Sequence, residues 1–198
     1  ITRNPNLAEA YISLGWIQFA YEWKLKDSEK SYRKAIQLNP KIAQAHQWLG
    51  INLNSQLQYD EAYKTYKRGL ELDPNHPVLL LNYSNTALEL DKFDEAIGAL
   101  NKGFSINPNF KVLWSSLYQV LVMKGDSESD ISELINEIET LEDKNESIYA
   151  PLTHYYRNKD NAKFDRYLAE WKEDNKTRNR SAFPMFKLYE IGIDSFIE

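Results

Sequence analysis

The residues that could do chemistry here are few. His46, His76 and His154 are the only histidines, and imidazole is the side chain suited to proton transfer or metal binding near neutral pH. None has a metal-ligating neighbour at helical spacing on its own helix. Cysteine is absent, which removes disulfides, zinc–thiolate sites and thiol catalysis. No glycine-rich loop is present to cradle a phosphate. The acidic group Glu170, Glu173 and Asp174 does not match the spacing of a calcium loop and reads as a solvated helix face. These readings predict no catalytic residue, no metal and no cofactor, so the chain is not expected to be an enzyme. What remains is the chemistry of recognition. Asn82 and Asn85 lie on one face of a helix, at i and i+3, and amides both donate to and accept from a peptide backbone. Trp16 and Trp48 offer large apolar surfaces with an N–H handle.

The elements that must position these groups follow from composition and period. The chain has 198 residues, 42% hydrophobic and 13% aromatic, with only seven Gly and seven Pro. Few turn residues argue against a sandwich or barrel. The net charge of −5 argues against a nucleic-acid footprint. No apolar run reaches the ~18–20 residues of a membrane span. The nearest, from Val112 to Met123, holds Ser115, Ser116 and Gln119 and reads as a buried helix. Asn39-Pro40, Asp73-Pro74 and Asn107-Pro108 recur at one constant interval, and the residue before Pro leaves the α region. A fixed period of about 34 residues marks a stacked repeat array.

Within the period, Leu14-Gly15 aligns with Leu49-Gly50, and Tyr59-Asp60-Glu61-Ala62 with Phe93-Asp94-Glu95-Ala96. Tyr32, Tyr66 and Leu100 share a column, as do Ala35, Gly69 and Gly103. This pattern resembles the tetratricopeptide repeat (TPR) family, whose unit is a helix–turn–helix. The resemblance implies an all-α fold, a right-handed superhelix of four to five helix pairs. The repeats fall near 8–42, 43–76, 77–110, 111–144 and 145–178. The first has one extra residue at Tyr21-Glu22-Trp23. The last two are degenerate: Asp130 stands where a small residue is expected, and Pro151 should kink a helix or mark its start. Residues 173–181 read as a polar connector. The apolar segment 179–198 reads as a C-terminal capping helix, or as a tail that docks on a neighbouring molecule and so permits self-association.

In this family the first (A) helices line a concave groove. The resemblance places Ser13, Trp16 and Phe19 there from the first repeat, and Gln44, Gln47, Trp48, Ile51 and Asn54 from the second. The third contributes Val78, Asn82, Asn85 and Glu89, and the fourth Ser116, Gln119 and Met123. The family's carboxylate clamp needs Lys and Arg beside Asn, and no Lys or Arg occupies these positions. The expected partner is therefore an extended, uncharged or apolar peptide or protein segment, with packing between repeats as the competing role of the tryptophans.

The segments Ala10-Tyr11-Ile12-Ser13-Leu14-Gly15-Trp16, Tyr21-Glu22-Trp23, Tyr32 to Pro40, and Ala45-His46-Gln47-Trp48-Leu49 are also similar to arrays in bacterial multidomain regulators. There the array follows a CadC-like winged-helix domain or a nucleotide cyclase. The start at Ile1 reads as a piece of a longer protein. Two functions follow: a non-catalytic interaction domain of a regulatory protein, or a scaffold of a secretion, pilus or envelope complex. The compartment stays open between cytoplasm and periplasm.

Overall fold

The computed structural model describes residues 7–140 and 149–177, which form ten helices with no strand among them. In order they are α1 (Ala8–Ala20), α2 (Leu25–Leu38), α3 (Ala43–Ser55), α4 (Tyr59–Leu72), α5 (Pro77–Leu88), α6 (Phe93–Ile106), α7 (Val112–Lys124), α8 (Glu128–Glu139), α9 (Tyr149–Arg157) and α10 (Asn161–Thr177). The repeat starts expected at Ala8, Ala43 and Pro77 coincide with α1, α3 and α5. The chain forms two compact units, residues 1–131 and 132–198, divided within α8.

In the first unit each B helix packs on the A helix of its own repeat and on that of the next. The A helices α1, α3, α5 and α7 also touch in sequence. The seam inside each repeat sets small against large. A Cβ on Gly15 would lie 2.6 Å from the Tyr32 ring, and one on Gly50 would fall closer still to the Tyr66 ring. In the third repeat the same two places hold Ser84 and Leu100, both fully buried. Between repeats, Gly69 receives Leu79 and Gly103 receives Leu113. Trp114 packs on Phe104 with ring centroids 4.5 Å apart.

The turns from A to B helix share a device that the sequence hides. Trp23, Leu57, Asp91, Gly125 and Lys159 all have positive φ, and each lies one full period after the last. The Leu57 N–H donates to Asn54 O and the Gln58 N–H to Leu53 O; Asp91 and Lys92 repeat this on Leu88 and Ala87. This paired closure satisfies the last carbonyls of a helix and favours glycine at the left-handed residue. Only Gly125 is glycine. In the first repeat the Lys24 N–H reaches Gln18 O, one residue further back, which absorbs the expected insertion. The B helices end at Asn39, Asp73 and Asn107, each outside the α region before its proline.

Asp130 is exposed rather than a small buried residue, because it closes the start of α8: Ser127 Oγ donates to Asp130 Oδ2 at 2.6 Å and accepts from the Asp130 N–H at 3.2 Å. In the second unit Ile135, Ile138, Leu152, Tyr155 and Tyr167 are buried. The Tyr155 hydroxyl donates to Glu139, which also meets Arg166 at 3.6 Å. Pro151 lies in the first turn of α9, where its missing N–H would be unsatisfied anyway, so it marks a helix start and not a kink. The connector expected at 173–181 is corrected over 173–177, which continue α10. The expected cap or tail at 179–198 lies outside the described residues.

Two outcomes follow from this packing. Gly50→Ala should destabilise by about 1–3 kcal/mol through overpacking, and adding Tyr66→Leu, the solution of the third repeat, should recover much of that loss in denaturant melts. Leu57→Gly should raise stability by about 0.5–1 kcal/mol, because Leu57 is largely exposed and its left-handed backbone opposes an L side chain.

Candidate functional site on the A helices

The site is a row of side chains carried by four neighbouring helices, α1, α3, α5 and α7. The repeat period brings Ser13, Trp48, Asn82 and Ser116 to one column, and Trp16, Ile51, Asn85 and Gln119 to the next. Ser13 and Gln44 are exposed, and the Ser13 hydroxyl donates to Glu9 O. Trp16 is 38% exposed and meets Tyr21 edge-on at 5.2 Å. Gln47, Trp48 and Ile51 are half-buried, and Trp48 and Ile51 rest on the core, so Trp48 combines surface and packing. Asn82 and Asn85 are half-buried, Val78 and Glu89 exposed, and Gln119 and Met123 exposed.

Ser116 departs from expectation. It is 6% exposed, because α7 turns Leu113, Ser116 and Val120 inward together, a spacing that makes one helix face. It is therefore not a groove residue. Asn52, singled out by nothing in the sequence, is fully buried. Its amide donates to Leu25 O at 3.0 Å and Ser28 Oγ at 3.1 Å and accepts from Gln56 at 2.6 Å, tying α3 to the start of α2. Its neighbour Asn54 is half-buried and donates to Thr86 Oγ1 at 2.8 Å, linking α3 to α5. Only the helical face separates two residues of one type.

Two carbonyl oxygens on this face, Asn54 Oδ1 and Asn85 Oδ1, are buried without a hydrogen-bond partner. Such acceptors are rare in folded proteins and gain from any N–H that reaches them. The A-helix positions named here carry no Lys or Arg, and their one acid is Glu89. This is a neutral face of amides and aromatic edges, suited to pairing with a peptide backbone.

The histidines serve the fold. His46 is buried and its Nε2 donates to Pro40 O at 3.2 Å. His76 caps α5, its Nδ1 accepting from the Leu79 N–H at 3.2 Å with Pro77 next. His154 is buried in the second unit with its ring edge-on to Tyr155. Among the described residues no three potential metal ligands cluster, and no helix is long and apolar enough to cross a membrane. A further polar knot joins Tyr63, Tyr83 and Glu95: both hydroxyls donate to Glu95 Oε2, and the two rings stack at 5.1 Å. Those hydroxyls hold the Glu95 carboxyl below the usual carboxylate range.

Burial, more than the charge of Arg68, holds the His46 pKa below its ordinary 6.5. The unfolded chain thus protonates first. The His46 contribution to stability is complete above pH 6.5 and is lost as pH falls through the lower folded value. Urea melts should weaken across that window, and His46→Leu, matching Leu80 of the next repeat, should flatten the slope.

Comparison with known proteins agrees with this geometry. Residues 53–121 match the family described as tetratricopeptide repeat. The human protein O-mannosyl-transferase TMTC3 is 34% identical over 89 residues, 43% of this chain and 9% of the relative. Hsp70-Hsp90 organizing protein 1 of Glycine max is 37% identical over 99 residues, 46% of this chain and 16% of the relative. The chain thus spans a small part of these relatives' length. Among solved structures, that of Pseudomonas aeruginosa pilF has a TM-score of 0.68 at 17% identity, covering 87% of this chain and 78% of that one, a likeness of fold. The constant period and the small-against-large seams agree with the tetratricopeptide-repeat match over residues 53–121.

Proposed function

We propose that the chain captures an extended, uncharged or apolar peptide segment of a partner protein on its A-helix face. Tetratricopeptide repeats generally mediate protein–protein interactions, and repeat arrays bind through such extended surfaces. The observation that carries the reading is the row of amide and aromatic side chains, Trp16, Gln44, Trp48, Asn82 and Gln119, at least partly exposed on a face without Lys or Arg. Peptide N–H and C=O groups pair with the amides of Gln44, Asn82 and Gln119, and Trp16 with the exposed part of Trp48 receives apolar side chains. The name of the soybean relative ties that protein to Hsp70 and Hsp90. The same partners do not suit this face, which has no cation to grip a terminal carboxylate.

In the fuller reading, the array is the interaction arm of a larger regulatory protein of bacterial type. Its support is the similarity of the first two repeats, with the Tyr21-Glu22-Trp23 insertion, to the arrays of such regulators.

A peptide library selected on the chain should yield neutral ligands. Their affinity should fall about tenfold or more, about 1.4 kcal/mol, in the double variant Asn82→Ala with Asn85→Leu. That variant should stay folded, since Asn85→Leu removes a buried unpaired acceptor. If no selected neutral peptide responds to it, the groove assignment fails.

A further inference from the structure

The outer side of the first unit carries two clefts between its B helices. The A helices approach one another backbone to backbone, whereas the B helices α2, α4 and α6 stand further apart and meet only through side chains such as Arg33 with Glu61 and Tyr63 with Glu95. The gap between consecutive B helices is floored by the A helix of the later repeat. Between α2 and α4 it is a cleft of about 520 Å³, with Ile36, His46 and Leu49 among its lining and Arg33, Lys64 and Arg68 at its sides. Between α4 and α6 it is a cleft of about 360 Å³, lined by Leu70, Leu80 and Tyr83 between Lys67 and Lys102.

A shift of one repeat converts one cleft into the other. Ile36 matches Leu70, Leu49 matches Tyr83, and Arg33 and Arg68 match Lys67 and Lys102. Each cleft holds one acid, and each is already engaged: Glu61 by Arg33 at 2.6 Å, Glu95 by the hydroxyls of Tyr63 and Tyr83. Arg68 is taken by Glu71. Lys64, Lys67 and Lys102 form no ion pair among the described residues; Lys67 contributes only its field to Glu95. In a chain of net charge −5, these lysines leave an uncompensated positive edge beside two apolar floors.

We propose that the two clefts form one docking track for an acidic peptide segment of a partner protein. Large apolar side chains of the segment enter the clefts, and its carboxylates meet Lys64, Lys67 and Lys102. The chemistry is the opposite of the neutral A-helix face, and the track does not depend on that face being a ligand site. Exposed charge pairs of this kind steer association and fade with salt.

The test uses the full chain, isotope-labelled, and a short fluorescent peptide in which Glu and Asp flank one Phe and one Leu. Binding should be saturable, weaken as salt rises, and shift amides at 64–68 and 98–102. Lys64→Glu with Lys102→Glu should weaken it at least about tenfold, and the milder Lys64→Gln with Lys102→Gln by less. The groove variant Asn82→Ala with Asn85→Leu should leave it unchanged. Absence of binding would overturn the proposal. So would equal binding of the Gln/Asn version of the peptide, shifts confined to the groove positions Trp48, Asn82, Asn85 and Gln119, or indifference to both lysine variants.

Discussion

Everything in the first unit depends on one steric relation, a side chain of the A helix too small to hold the B helix away. At Gly50 a single added carbon would fall well inside van der Waals contact with the Tyr66 ring. Because the ring lies directly on the A-helix backbone, the hairpin closes tightly enough to bury Ala62 and Gly69 behind it. Those small residues in turn admit the next repeat, as Leu79 against Gly69 shows. The relation is one of summed volume more than identity. Ser84 opposite Leu100 solves it with other residues, as close-packed interiors allow when total volume is kept.

Tight closure has a cost, and it appears at the turns. The chain must reverse within a short turn, and it does so with a left-handed residue every time. Gly125 is the lone glycine among them. The strain of the others is offset by the paired carbonyl bonds that end each A helix and by the burial that closure permits. The same closure divides the first unit into two chemically different sides. A helices that touch present a continuous neutral row of amides and aromatic edges. B helices whose backbones stand further apart, bridged by side chains such as Arg33 with Glu61, leave repeated gaps, and their long cations line those gaps.

Much of this organisation was legible in the chain. The Asn/Asp-Pro spacing carries the period at which α3, α5 and α7 follow one another, the Tyr21–Trp23 insertion falls in the turn between α1 and α2, and the absence of Lys and Arg from the A-helix positions is a property of the sequence itself. Less legible was how each helix is turned. Ser116 shares a column with Asn82 and is buried where Asn82 is half-buried, although both helices turn the same face inward, Leu113 and Val120 in α7 as Leu79 and Thr86 in α5. Asn52 and Asn54 differ by two positions and so point to different surroundings, one to a buried knot with Ser28, the other to Thr86. Asp130 breaks the small-residue column because the start of α8 needed a cap, a local demand that outweighs the repeat pattern.

The sequence by itself determined the period, the helical hairpins and their small-against-large seams, because these follow from residue size and helix-stopping prolines that act locally. The tertiary structure alone decided which polar groups remain unsatisfied and which cations remain unpaired. Asn85 Oδ1 is orphaned, while Arg33 is spent on Glu61 of the next repeat and Lys64 and Lys102 are not. Pairing of that kind depends on side chains from helices of successive repeats meeting within hydrogen-bonding distance, and no local pattern encodes it.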